Sequence, residues 1–231
     1  MRTLAIDTSH AAGTVAAAAG ERVAVRPLGA AGEHAAVLAC RLTEVADTLG
    51  FRLAEAETLC VVRGPGSFTG LRVGVATAKA IAWAAGMRLV GLSGFELVAW
   101  ETARITGWND AALQIAFDAG RGDVYAAEVC PDRARPGGWL AGPATLQPAA
   151  EWIERLPADF RVSGPAAAIH AGAIEAAGLR LAPPAGWFPT ALAAAVVGQL
   201  RVTAGEADDP HALVPDYLRP SYADERRTAG P

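Results

Sequence analysis

Apolar positions change their spacing several times along the chain. Over residues 3–9, 14–19 and 22–28 they come in short runs separated by Ala11-Ala12-Gly13 and by Gly20-Glu21, which predicts three short strands in a β-meander. From Gly32 and Glu33 the period lengthens. Leu38, Leu42, Val45 and Leu49 recur every 3.6 residues and Gly50 stands where a C′ glycine would, predicting a helix over 33–49 with one core face. Thr58 to Arg63 reads as a buried strand. A glycine-rich turn follows, then a helix over 70–85, a strand at Leu89-Val90-Gly91-Leu92 and a helix from Gly94 to about Ile105.

The order β-β-β-α-β-α-β-α is that of a ribonuclease-H-like half, and it begins again further on. Leu113-Gln114-Ile115-Ala116-Phe117-Asp118 repeats the pattern of Leu4-Ala5-Ile6-Asp7, an apolar strand ending on Asp, with a β-rich segment after it. Asn109-Asp110 marks the boundary, giving lobes at 1–108 and 109–231. The second is abridged, because Pro- and Gly-rich stretches at 131–148 and 182–189 leave room for two or three helices. The expected fold is therefore α/β: two ribonuclease-H-like halves in the actin-like arrangement, with a reduced second lobe.

In that layout the strand-terminal carboxylates Asp7 and Asp118 are the candidates for holding phosphate or Mg²⁺ across the cleft. The alternative is that each caps the N–H groups of its own turn. Asp7 is followed by Thr8, Ser9 and His10 rather than by glycines, so a complete nucleotide site is not expected and the two are at most vestiges of one.

The stretch Gly64-Pro65-Gly66-Ser67-Phe68-Thr69-Gly70 looks like a phosphate loop but lacks the Lys-Ser/Thr pair of a Walker sequence, since Leu71 and Arg72 stand there. Its glycine spacing also misses the dinucleotide fingerprint by one residue. Ser67 is not in a Gly-x-Ser-x-Gly elbow and has no nominated base. In the helix that follows, Gly70, Gly74, Ala78 and Ala82 fall every fourth residue and make a bare ridge flanked by Leu71 and Val75, along which a second helix could approach.

Charge and composition narrow the chemistry. The chain has 231 residues, 52% hydrophobic and 19% charged, which is globular composition. A formal net charge of −4 argues against a chain that grips nucleic acid unaided. Cys40, Cys60 and Cys130 are odd in number and widely spaced, suggesting reduced thiols rather than a zinc site or disulfides. No run is long and apolar enough to span a membrane, and Met1-Arg2-Thr3-Leu4-Ala5-Ile6-Asp7 places a charge where a signal peptide needs its apolar core, which points to a cytoplasmic protein.

The heptapeptide and its helix resemble the signature of the bacterial TsaB (YeaZ) family. So do Leu4-Ala5-Ile6-Asp7-Thr8-Ser9, Glu33-His34, Phe117-Asp118-Ala119-Gly120-Arg121-Gly122-Asp123-Val124-Tyr125 and Pro215-Asp216-Tyr217-Leu218-Arg219. The resemblance implies a non-catalytic scaffold for TsaD, the enzyme that forms threonylcarbamoyladenosine in tRNA beside the anticodon. Helices 33–49 and 70–85 would bundle with the matching pair of TsaD, with His34, Leu38, Gly70, Leu71, Gly74, Val75, Ala78 and Ala82 at the contact. TsaE would be a second partner, a homodimer would form in the absence of TsaD, and tRNA would be met only through the complex. Neither cofactor nor metal is implied: TsaD carries a His-x-x-x-His pair, whereas here His34 has Leu38 at that offset. The competing reading is a small ATP-dependent phosphotransferase using Asp7 and Asp118.

Overall fold

A computed structural model describes residues 1–30 and 32–218. The first half runs β1 (Arg2–Asp7), β2 (Thr14–Ala19), β3 (Arg22–Pro27), α1 (His34–Thr48), β4 (Thr58–Gly64), α2 (Phe68–Ala85), β5 (Arg88–Ser93) and α3 (Gly94–Thr106). Its sheet has the order β3-β2-β1-β4-β5. The meander pairs antiparallel, whereas β1–β4 and β4–β5 pair parallel through helical crossovers.

The second half repeats this plan with shorter parts: β6 (Leu113–Gly120), β7 (Asp123–Pro131), β8 (Trp139–Ala141), β9 (Thr145–Pro148), α4 (Ala149–Arg155), β10 (Arg161–Ser163), α5 (Ala167–Ala176), β11 (Arg180–Leu181) and α6 (Ala191–Thr203). The order β11-β10-β6-β7-β8, with β9 also on β7, places β6 where β1 stands in the first sheet. Strand β10 has three residues against seven in β4, and α4 has seven against fifteen in α1. The expected α/β fold of two ribonuclease-H-like halves, the second abridged, is the fold adopted.

Period-two alternation in the central strands feeds both faces of the first sheet. Leu4, Ile6, Leu59 and Val61 meet Leu38, Leu42 and Val45 of α1 and Val75, Ala78 and Ala82 of α2 on one face. On the other, Ala5, Ala16, Cys60 and Val62 meet the alanines of α6. Helix α6 lies unusually close, since a Cβ on Gly198 would fall inside contact distance of Cys60 Sγ. Helix α3 presents Phe95, Val98 and Ala99 to Leu113, Ile115 and Phe117 of the second sheet, whose far face carries α4 and α5. The layers are thus α1/α2, sheet, α6 and α3, sheet, α4/α5. Among the described residues no helix is long and apolar enough to cross a membrane.

Candidate partner-binding site

The glycine-rich loop folds around the turn that ends β1. Ser67 N–H donates to Ser9 O at 2.7 Å, and Thr8 Oγ1 donates to Gly70 O at 2.7 Å. Cβ atoms added at Gly66 or Gly70 would run into the Ser9 and Thr8 carbonyls, and one at Gly74 into Thr8 Oγ1. The spacing of these glycines therefore seats the Thr8-Ser9 backbone. Ser67 caps α2 by accepting from Gly70 N–H at 3.3 Å, so the helix starts at Phe68, two residues before the sequence expectation.

This packing corrects the residue-level reading of α2. Gly74, Ala78 and Ala82 form a bare ridge, but the ridge faces the chain's own β1 and core, together with Leu71, Val75 and Leu38. His34 is only 7% exposed; it packs over Gly13 and its Nε2 donates to Ala11 O at 3.3 Å. Gly70 is half-buried over Thr8. Period alone cannot tell a ridge that admits a helix from one that admits a strand end. What the α1/α2 pair turns outward is the opposite stripe: Ala36, Ala39 and Cys40 on α1, Ala76, Ala80 and Trp83 on α2, with Trp83 73% exposed.

Asp7 is fully buried and spent within its own turn. Oδ1 accepts from Ser9 N–H at 2.9 Å and Ser9 Oγ at 2.6 Å, while Oδ2 faces His10 Nε2 at 3.0 Å. His10 also reaches Pro189 O at 3.1 Å and packs against Phe188 in a tilted arrangement with ring centroids 4.8 Å apart. Burial works to lower the His10 pKa, but the hydrogen bond and charge of Asp7, with the Pro189 carbonyl, outweigh it and hold the pKa above its ordinary value. Asp118 is exposed and accepts from Gly120 N–H at 3.0 Å, the same i+2 bond that Asp7 makes with Ser9. No cluster of three or more His, Cys, Asp or Glu suited to a metal occurs among the described residues.

A family model described as "TsaD: tRNA N6-adenosine threonylcarbamoyltransferase" matches residues 15–156, more than half of the chain. The tRNA threonylcarbamoyladenosine biosynthesis protein TsaB of Bacillus subtilis is 29% identical over 184 residues, 73% of this chain and 72% of that protein. TsaB of Escherichia coli is 34% identical over 128 residues, 55% of this chain and 54% of that one. An uncharacterized protein of Mycobacterium tuberculosis, Rv3421c, is 31% identical over 226 residues, covering 94% and 90%. The solved structure of YeaZ from Pseudomonas aeruginosa shares the fold, with a TM-score of 0.76 at 23% identity over 94% of this chain and 99% of that chain. The chain belongs to the TsaB (YeaZ) family.

In this TsaB-family chain the loop signature and the closing Pro215-Asp216-Tyr217-Leu218 touch each other. Asp216 N–H donates to Arg63 O at 2.8 Å, and a Cβ on Gly64, at φ +136°, would sit 3.0 Å from Asp216 O. Arg72 Nε donates to the Tyr217 hydroxyl at 3.0 Å and its guanidinium lies 3.9 Å over the Phe68 ring. Lys79 Nζ donates to Leu213 O at 2.9 Å, and Leu213 is buried over Gly91. Residues 211–217 thus strap one edge of α2 through Lys79 and Arg72, which explains why its two cations share one stripe. Arg219, Arg226 and Arg227, the cations near the C-terminus through which a weak contact with tRNA is conceivable from sequence, lie outside the described residues. Sequence alone does not assign Trp83 a place, nor does it give the contacts of His10 with Asp7 or of Tyr217 with Arg72. A lone aromatic or imidazole carries no periodic signal, although a Trp on an otherwise small-residue helix stripe, as at Trp83, is a visible irregularity in the sequence.

Proposed function

We propose that this chain is a non-catalytic subunit that binds TsaD and supports formation of threonylcarbamoyladenosine in tRNA, with the outer face of α1 and α2 as the docking surface. The observation that carries the reading is the exposed Trp83 set among small residues on a helix pair whose inner face is already filled. A large exposed aromatic in a flat, small-residue surround is the form of an interface anchor. Family membership supplies the occupant: the named relatives are biosynthesis proteins of this modification, and the matching family model bears the name of TsaD. TsaE as a further partner, self-association when TsaD is absent, and a cytoplasmic location follow from the same reading. The phosphotransferase alternative draws little support, because the Asp7 carboxylate is buried and already holds Ser9 and His10.

The experiment is a binding titration of Trp83→Asp and Ala80→Glu against TsaD, with threonylcarbamoylation measured in the reconstituted system. Both variants should fold, because both positions are exposed. Loss of binding and of modification together supports the reading. Unchanged binding by both variants would place the docking surface elsewhere.

A further inference from the structure

A second site lies at the outer edge of β5, away from the helix pair. There a pocket of about 300 Å³ is lined by Arg63, Gly91, Arg201, Glu206 and Asp208. Arg201 is nine-tenths buried. One of its Nη atoms meets Glu96, and its Nε has no hydrogen-bond partner; the nearest acceptor is Glu206 at 3.9 Å. Arg63 is engaged only through Nε, 3.3 Å from Asp216 Oδ2 and outside hydrogen-bond geometry. Among the described residues, neither Nη of Arg63 nor the second Nη of Arg201 has a protein acceptor. A guanidinium carries five donors in a fixed fork matched to a carboxylate, and two such forks here hold most of theirs unspent.

The pocket wall is not simply basic. Glu206 is about half exposed, and Asp208 accepts from Gly91 N–H through Oδ2, leaving its other oxygen without a partner among the described residues. Two cations, each already meeting one carboxylate outside the cavity lining (Glu96 on Arg201, Asp216 on Arg63), and two further anions face one small polar cavity, which suits a ligand that carries both charges close together. A bare oxyanion would meet the guanidinium groups but would also be opposed by both carboxylates.

We propose that this pocket binds a small α-amino acid as its zwitterion, its carboxylate on Arg63 and Arg201 and its ammonium on Glu206 and Asp208. The site is completed where the chain leaving α6 reaches β5, with Asp208 N–H donating to Leu89 O at 2.7 Å and its Oδ2 accepting from Gly91 N–H at 2.8 Å. Ligand binding therefore fastens the segment leading into the strap that ends on the signature loop.

The test follows the Arg63 and Arg201 Nε–H signals by NMR in the full-length protein while L-alanine, acetate or methylammonium is titrated in. Saturable shifts with L-alanine, at an affinity at least about tenfold above acetate and methylammonium, are expected. Glu206→Gln, at an exposed position, should remove the preference for L-alanine over acetate, and Arg63→Gln should weaken both. Acetate binding as tightly as L-alanine would overturn the proposal in favour of a plain anion site. Absence of any saturable shift would show that the pocket holds solvent only.

Discussion

At the scale of single residues, the contact that decides the local structure is Gly74 against Thr8. Gly74→Ala puts a methyl group inside contact distance of Thr8 Oγ1, which is itself held by Gly70 O. Overpacking of this kind costs about 1–3 kcal/mol, and in a chain of this size Tm should fall by roughly 2–12 °C. Thr8→Ala should recover part of the loss in the double variant, because the two positions share one space; additive losses would contradict the assigned contact. His10 makes a pH statement. Its folded pKa is raised, so its contribution to stability is complete below the unfolded value near 6.5 and is lost as pH rises through the folded value. Urea unfolding midpoints of the parent protein should therefore fall from about pH 6.5 upward more steeply than those of His10→Gln. Equal slopes would remove the Asp7–His10 pair from the account. Cys60 offers a third check: burial pushes its thiol up to about 12, whereas Cys40 and Cys130 are exposed. Thiol labelling should count two cysteines in the native protein and three in denaturant.

At the scale of elements, α2 was legible in its existence and almost in its ends, but not in its orientation. Its N-terminus moved two residues because a Ser cap is a local bond that hydrophobic period does not report. Its ridge of small residues was visible, yet the partner on the other side of that ridge is Thr8, which stands more than sixty positions away and gives no signal in the helix itself. The strands of the first half were read nearly to the residue, since each is a short apolar run between turn formers. Those between 131 and 148 were not: β8 and β9 have three and four residues, too few to show a period. The two motifs at 4–9 and 64–70 were each recognised singly; their mutual fit, through Ser9 O and Gly70 O, appears only in three dimensions.

At the scale of the molecule, we place the lobe boundary at 108/109 as a division of topology, not of independent folding. Helix α6 comes from the end of the chain and covers the inner face of the first sheet, including Ala5, Ala16, Cys60 and Val62. A fragment of residues 1–108 would leave that face in water and should be aggregated or molten, while adding α6 in trans should restore a cooperative unfolding transition. Cooperative folding of 1–108 alone would show that the lobes are separable. The most direct test of the whole account is the affinity of full-length Trp83→Asp for TsaD beside that of the parent chain, with circular dichroism and Tm showing both folded. Loss of an interface anchor of this size is worth about 2 kcal/mol or more, so binding should weaken by roughly thirtyfold or beyond while Tm stays put. Parent-like affinity in that variant would contradict the claim that the outer face of α1 and α2 is where the partner docks.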